Sequence, residues 1–208
     1  MITIIDYDTG NTRNVKNALD FLGVPNQLSA DPGEILTADG LILPGVGAFK
    51  KAMDSLNERG LVPVIQQAAD AGIPILGICL GMQILFDKSY EFGESTGLGL
   101  IAGEVVPIPE NLGVKVPHMG WDQNQSQQTD TLGDGFDGQF SYFVHSYYVQ
   151  TAAENIVSTV DYGVQIPSIV RKDNVIGFQF HPEKSGEVGL NGLAKFKEMV
   201  ENADYSRN

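Results

Sequence analysis

The hydrophobic positions fall into short unbroken runs separated by stretches with helical spacing. Residues 2–6 (ITIID) are apolar and β-branched, and the cluster YDTGN that follows reads as a turn. From Thr12 the pattern becomes helical, with Val15, Leu19 and Leu22 on one face, and Gly23 and Pro25 end it. Residues 40–44 (GLILP) form a second apolar run, stopped by PGVG. The segment Ala48 to Ala71 reads as two helices broken near Gly60 and Pro63. IPILGIC then predicts a strand, and LGMQILF the start of a helix. Continuous apolar strands alternating with helices predict an α/β fold, its sheet mostly parallel and covered on both faces.

From Ile101 the pattern changes. AGEVVPI, FSYFVHSYYV, NIVSTVDYG, IPSIVRKD and VIGFQFH predict short strands with few helices between them, added antiparallel to the central sheet. Helical spacing returns from about Glu187 to Val200. Residues 122–139 are rich in Gln, Gly and Asp and read as a surface loop, not as a linker between independent units. There are no internal repeats. The 208 residues are therefore expected to form a single domain, 1–208, with ample material for a core.

Composition narrows the chemistry. The formal net charge of −13 argues against a nucleic-acid surface, which needs an excess of Lys and Arg against phosphates. Its plain meaning is solubility; docking to a basic patch on a partner is the second reading. No run approaches the roughly 20 apolar residues of a membrane span. MITIIDYD lacks the basic region and cleavage site of a signal peptide, so the expected location is cytoplasmic. One cysteine cannot make an internal disulfide or a zinc site of several thiolates. Three scattered histidines do not suggest a catalytic zinc. No metal and no cofactor is expected.

That cysteine, Cys79, lies in GICLG, where a strand pattern meets a helical one. The form small-x-nucleophile-x-small suits a sharp strand-to-helix turn that presents a nucleophile, with flanking glycines relieving the crowding. In that geometry the Leu80 N–H points outward as an oxyanion donor, and the helix N-terminus favours the thiolate. The other reading is a buried structural cysteine. A nucleophile needs a base and a group to orient it. His181 follows an apolar strand and opens HPEK, with Glu183 two residues on and on roughly the same side of an extended chain. That pair supplies base and orienter together, or else is a surface turn with a chance acidic neighbour. His118 and His145 lack a carboxylate at that spacing and read as satisfied core or interface histidines. In LPGVGAF, two glycines after a strand allow close approach of a ligand, and an N–H at Val46 or Gly47 is a candidate second oxyanion donor. A phosphate loop is the weaker reading, since G-x-G-x-x-G and a Lys-Ser/Thr pair are both missing.

GICLGMQ, FQFHPEKS and PGVGAF together resemble the class I (triad) glutamine amidotransferases, and the resemblance runs from about Ile2 to the last helix. Within that family, PGVGAF, PHMGW, YFVHSYY and HPEKS are similar to the glutaminase subunits of imidazole glycerol phosphate synthases. The resemblance implies a flavodoxin-like α/β sheet with antiparallel additions. It implies a Cys79–His181–Glu183 triad that hydrolyses glutamine through a γ-glutamyl thioester, with Leu80 and Val46 or Gly47 forming the oxyanion hole. Gly45, Gln83, Glu91, Ser146 and Tyr147 would bind the glutamine. Ammonia would pass within a heterodimer to a cyclase subunit, a (β/α)8 barrel that converts PRFAR to imidazole glycerol phosphate and AICAR in histidine biosynthesis. His118, Met119, Gly120, Trp121, Tyr142 and Lys184 would lie at or near that interface. Three features depart from the family pattern: Asp8 where Gly is common, Asp122 where Asn is usual, and the Gln-rich 123–128 stretch. The competing readings are another amidotransferase glutaminase, such as that of vitamin B6 synthesis, a non-catalytic binding protein on this fold, a free-standing γ-glutamyl hydrolase, and, on fold alone, a flavin-binding protein.

Overall fold

The first half builds alternating strands and helices: β1 (Ile2–Ile5), α1 (Thr12–Phe21), β2 (Asn26–Ser29), α2 (Pro32–Leu36), β3 (Gly40–Gly45), α3 (Phe49–Glu58), α4 (Leu61–Asp70) and β4 (Ile75–Cys79). A computed structural model describes residues 1–8 and 11–207, so part of the turn expected at YDTGN lies outside the described residues. The two helices expected between Ala48 and Ala71 are α3 and α4, and the left-handed Gly60 (φ 66) separates them. Pro63 is tolerated because it falls in the first turn of α4, where N–H groups have no helical partner to lose.

The chain continues with α5 (Leu80–Gln83), β5 (Phe86–Ser89), β6 (Ser95–Thr96), β7 (Ile101–Pro107), β8 (His118–Gln123) and β9 (Gln125–Ser126). It closes with β10 (Phe140–His145), β11 (Tyr147–Gln150), β12 (Ile156–Asp161), β13 (Gln165–Lys172), β14 (Val175–Phe178) and α6 (Gly186–Arg207). The main sheet has the order β2-β1-β3-β4-β14-β13-β12-β9. Its first five strands are parallel, and β13, β12 and β9 add antiparallel. Strand alternation explains the apolar runs. Ile5, Leu41, Leu43 and Ile75 face a core shared with Phe49, Met53, Leu56 and Ile65 of α3 and α4. Ile2, Ile4, Ile42, Leu76 and Ile78 face the opposite core, with Val15 and Leu19 of α1 and Leu193 and Phe196 of α6. Both faces are covered, so neither can be polar.

Three expectations change. The helix expected from LGMQILF is a single turn. The carbonyls of Ile84, Leu85 and Phe86 accept instead from Leu98, Leu100, Ile101 and Gly99, so the returning 97–101 segment takes the bonds a second turn would need. FSYFVHSYYV is two strands, not one: β10 pairs with β8 as a two-stranded sheet, and β11 pairs with β7 in a separate sheet of order β11-β7-β5-β6. Not all later strands therefore extend the central sheet. The segment 122–139, expected as loop throughout, supplies the end of β8 and the edge strand β9, because Gln125 and Ser126 pair with β12. Among the described residues, no helix is long and apolar enough to cross a membrane.

Candidate active site

The parallel strands β3, β4 and β14 lie side by side and deliver three loops to one edge of the sheet. Gly45 is in register with Cys79, and Ile78 with Phe178, so PGVG, Cys79 and the chain leading to His181 emerge together. This is the carboxyl edge of a doubly wound sheet, where ligands bind. Cys79 has φ 55 and ψ −110, a conformation forced on a non-glycine residue at the end of β4. Strain of this kind persists only where the surroundings over-determine it. The helix behind it has four residues, so its dipole is short, and the charge beside the thiol comes from His181.

His181 and Glu183 are almost wholly buried. His181 Nδ1 lies 2.9 Å from Glu183 Oε1, which also accepts from Asn11 Nδ2 at 3.2 Å. A carboxylate only accepts, so Nδ1 carries the hydrogen and Nε2 is left for the thiol. Nε2 has no other hydrogen-bonding partner, and the polar group that acts on it is Cys79. Burial alone depresses the imidazole; the hydrogen bonds and charges of Cys79 and Glu183 override it and raise its pKa to about 9. At neutral pH His181 is therefore an imidazolium facing the cysteine. The turn is fastened to β10, because His181 N donates to the Tyr142 carbonyl and Ser185 Oγ accepts from the Tyr142 N–H.

The cleft in front of the thiol has a volume of about 280 Å³, the right scale for an amino acid. Cys79, Leu80, Val46, Gly47 and His181 line it, together with Gln83, Glu91, Ser146 and Tyr147. Glu91 reaches across to accept from the Phe49 N–H at 2.7 Å. Gln83 spends its amide nitrogen on the Tyr147 carbonyl and on Gln179 Oε1. Gly45 stands behind this wall; a Cβ there would come within 2.7 Å of Gly81 N, so its smallness serves the elbow. A larger cleft of about 480 Å³ lies between Thr131 and α6. Neither a cysteine nor a histidine lines it, so volume alone does not pick out the Cys79–His181 pair.

The remaining residues form a neighbouring surface. Along β8 the side chains alternate: Met119 and Trp121 are exposed, whereas His118 is buried. Trp121 packs edge-on against Tyr142 at 6.0 Å, and Lys184 Nζ lies 5.8 Å from the Tyr142 ring. His118 has a carboxylate partner after all: Asp122, four residues on and therefore on the same face of the strand, 2.6 Å from Nε2. Asp8 pairs with Arg59, just past the end of α3. Sequence reasoning missed Asn11 and Gln179. Asn11 carries no local signal, being brought to Glu183 only by the fold. Gln179 does carry one: it sits two residues before His181, just past the end of β14, and its Nε2 lies 3.8 Å from Cys79 Sγ.

The shifted histidines set the pH range of stability. His181 holds its proton up to about pH 9 when folded and only to about 6.5 when unfolded. Its contribution is full below pH 6.5 and is lost as pH rises toward 9. His145 is the opposite case: burial, reinforced by His118, pushes it down to about 3. Its contribution is full above pH 6.5 and is lost as pH falls toward 3. Thermal melts from about pH 4 to about pH 10 are expected to peak near neutrality and fall on both sides. The alkaline limb is diagnostic, since an unperturbed histidine has finished titrating there; a flat Tm between pH 6.5 and 9 contradicts the imidazolium.

Residues 3–198 match the family model described as glutamine amidotransferase class-I. Among curated proteins, the imidazole glycerol phosphate synthase subunit HisH of Lacticaseibacillus casei is 63% identical over 208 residues, covering 100% of both chains. The protein of the same name from Lactiplantibacillus plantarum is 57% identical, again over 100% of both. Among solved structures, a glutamine amidotransferase superposes with a TM-score of 0.77 at 18% identity, covering 97% of this chain and 100% of that one. PurLQS from Thermotoga maritima superposes at 0.74 and 20% identity, covering 96% and 98%. These two likenesses establish the fold.

Proposed function

The chain belongs to the class-I glutamine amidotransferase family, and from that premise we propose that it is the glutaminase subunit of an imidazole glycerol phosphate synthase, working through Cys79, His181 and Glu183. The observation that carries this is the meeting of a strained cysteine and a buried imidazolium–carboxylate pair in one amino-acid-sized cleft. With the Cys79 thiol proton taken up at His181 Nε2, Sγ attacks the side-chain amide carbon of glutamine, and the carbonyl electrons move onto oxygen. The Leu80 N–H and the N–H at Val46 or Gly47 receive that oxyanion. As the tetrahedral species collapses, the C–N bond breaks and His181 gives its Nε2 proton to the departing ammonia. Water then attacks the thioester, with His181 taking its proton, and glutamate leaves. Glu183 keeps the imidazole in the one tautomer that can do both. Gln83, Glu91, Ser146 and Tyr147 hold the amino-acid head group, and Gly45 lets the elbow pack behind it.

Ammonia passes to a cyclase subunit in a heterodimer, where it enters the conversion of PRFAR to imidazole glycerol phosphate and AICAR. The exposed Met119 and Trp121, with Tyr142, Lys184 and the Gly120 backbone, support a docking face beside the cleft; His118 backs that face from inside. The chain acts as one domain over 1–208, in the cytoplasm. The Gly45–Gly47 segment is the switch that turns hydrolysis on. Val46 is exposed and Gly47 already has φ 99, so a peptide flip there meets little resistance. Glutaminase activity, measured on the chain alone and again with an imidazole glycerol phosphate synthase cyclase subunit and its ligand, tests the proposal. The expected rise is at least roughly tenfold, the size of an ordinary coupling between sites. Full activity without a partner would identify a free-standing hydrolase instead.

A further inference from the structure

His118 and His145 take no part in the triad, yet both are buried and every ring nitrogen of the two is engaged. The Tyr147 carbonyl oxygen is the fixed point, because it can only accept. It lies 2.8 Å from His145 Nδ1 and 2.9 Å from Gln83 Nε2, so both must donate. His145 is neutral at working pH, since burial holds its pKa near 3. Its Nε2 is then a bare lone pair, and His118 Nδ1, 3.0 Å away, must donate to it. The last contact is His118 Nε2 to Asp122 Oδ2 at 2.6 Å. A bare ring nitrogen and a carboxylate would be two acceptors at that distance, so a proton lies between them.

We propose that Asp122 is a positioning residue for glutamine hydrolysis: by sharing a proton with His118 it orients a His118–His145 relay that, with Gln83, clamps the Tyr147 carbonyl in the wall of the glutamine cleft. This rests on the glutaminase reading above. The chain of bonds does not stop at Tyr147. Gln83 also donates to Gln179 Oε1 at 3.1 Å, which fixes the Gln179 amide so that its Nε2 faces Cys79 Sγ. Asp122, on the strand whose Met119 and Trp121 are exposed, is thus joined by unbroken polar contacts to the nucleophile.

The groups facing His118 are few. Asp122 faces it from its own strand and His145 from β10. The Phe143 ring stacks on one contact at 4.8 Å and the Tyr162 ring on another at 3.9 Å, the Tyr162 phenol donating to the Lys115 carbonyl. His181 acts on the relay only through His145. Burial outweighs the hydrogen bond and charge of Asp122, so the His118 pKa lies below that of a free imidazole. As pH rises the shared proton leaves, two lone pairs then face each other, and the relay opens at its outer end.

The test uses wild type, Asp122→Asn and Asp122→Leu in the complex with the cyclase subunit, and ring 15N NMR of the free chain. Asparagine can donate Nδ2–H to the bare Nε2, which keeps the relay closed without a titratable proton. Leucine cannot close it. The expected result is a KM for glutamine that rises with pH in wild type, stays within about twofold and pH-independent in Asp122→Asn, and rises about tenfold in Asp122→Leu with kcat changed far less. The NMR readout does not depend on activity: His145 is the Nδ1–H tautomer throughout, and His118 loses its Nε2 proton on Asp122→Asn. An Asp122→Leu enzyme with unchanged KM overturns the positioning role. An Nε2–H tautomer for His145 overturns the relay itself. Wild type without glutaminase activity under any condition, with the tautomers as stated, overturns the functional reading on which the role rests.

Discussion

Replacing Cys79 with alanine is expected to lower glutamine hydrolysis by roughly four orders of magnitude or more while the protein stays folded. The size follows from what is removed. Without Sγ there is no thioester, and water would have to attack an amide that no covalent step has activated. His181 is an imidazolium in the resting state, held there by Cys79 and Glu183 together. Alanine leaves only Glu183, so the alkaline loss of stability in Cys79→Ala should move to lower pH. Folding should otherwise survive, because alanine can hold the same φ of 55 with no larger side chain. Serine does not rescue the enzyme, since a hydroxyl oxygen is intrinsically a far poorer nucleophile than a cysteine sulfur. With a single cysteine in the chain the check is direct. A glutamine analogue bearing a chloroketone should add one adduct mass to wild type and none to Cys79→Ala. A mutant that still turns over glutamine would make Cys79 a structural residue.

How far the chain could be read without coordinates depended on how local each signal was. The parallel half was legible because each strand is buried on both sides and each helix carries its own stop, as at Gly23 after α1 and Gly60 before α4. The elbow at Cys79 and the His181–Glu183 pair were legible because each is complete within a few residues. The single turn of α5 was not, since what ends it is the 97–101 segment taking the Ile84, Leu85 and Phe86 carbonyls. The break at Ser146 was hidden for a similar reason. FSYFVHSYYV reads as one apolar strand, yet the two halves belong to different sheets, and the Ser146 carbonyl turns to Ile108. Asn11 beside Glu183 has nothing in its own neighbourhood to announce it, and the Gln83–Gln179 contact joins residues 96 positions apart. Polar networks of this kind are decided by which backbone carbonyls remain unpaired after the sheets form.

Gly81→Ala should be the most damaging substitution of a surface-distant glycine, costing at least about 3 kcal/mol and removing activity with it. A Cβ at Gly81 would come within 1.7 Å of the Leu43 carbonyl oxygen and 2.8 Å of its carbon. Those are main-chain atoms of β3, so no rotamer change relieves the overlap. Either α5 lifts from the sheet or β3 gives way. Both movements carry the elbow with them, because Gly77 and Gly45 face the same turn: a Cβ on Gly77 would meet Gly81 O at 2.5 Å, and one on Gly45 would meet Gly81 N at 2.7 Å. Three glycines thus let β3, β4 and α5 approach within backbone contact, and that approach is what sets Cys79 and Leu80 opposite PGVG. Gly60→Ala is the matched control. Gly60 has φ 66 but nothing within 4 Å of an added Cβ, so only backbone strain opposes the change, at roughly 1–2 kcal/mol. Thermal melting should separate the two. In a chain of this size about 3 kcal/mol lowers Tm by roughly 6–12 °C, and the control falls by roughly one third to two thirds as much. The activity readout should separate them further, since Gly60→Ala leaves the elbow untouched and keeps wild-type hydrolysis. A Gly81→Ala protein with wild-type Tm and activity would mean that the close contact of α5 with β3 is not what holds the nucleophile in place.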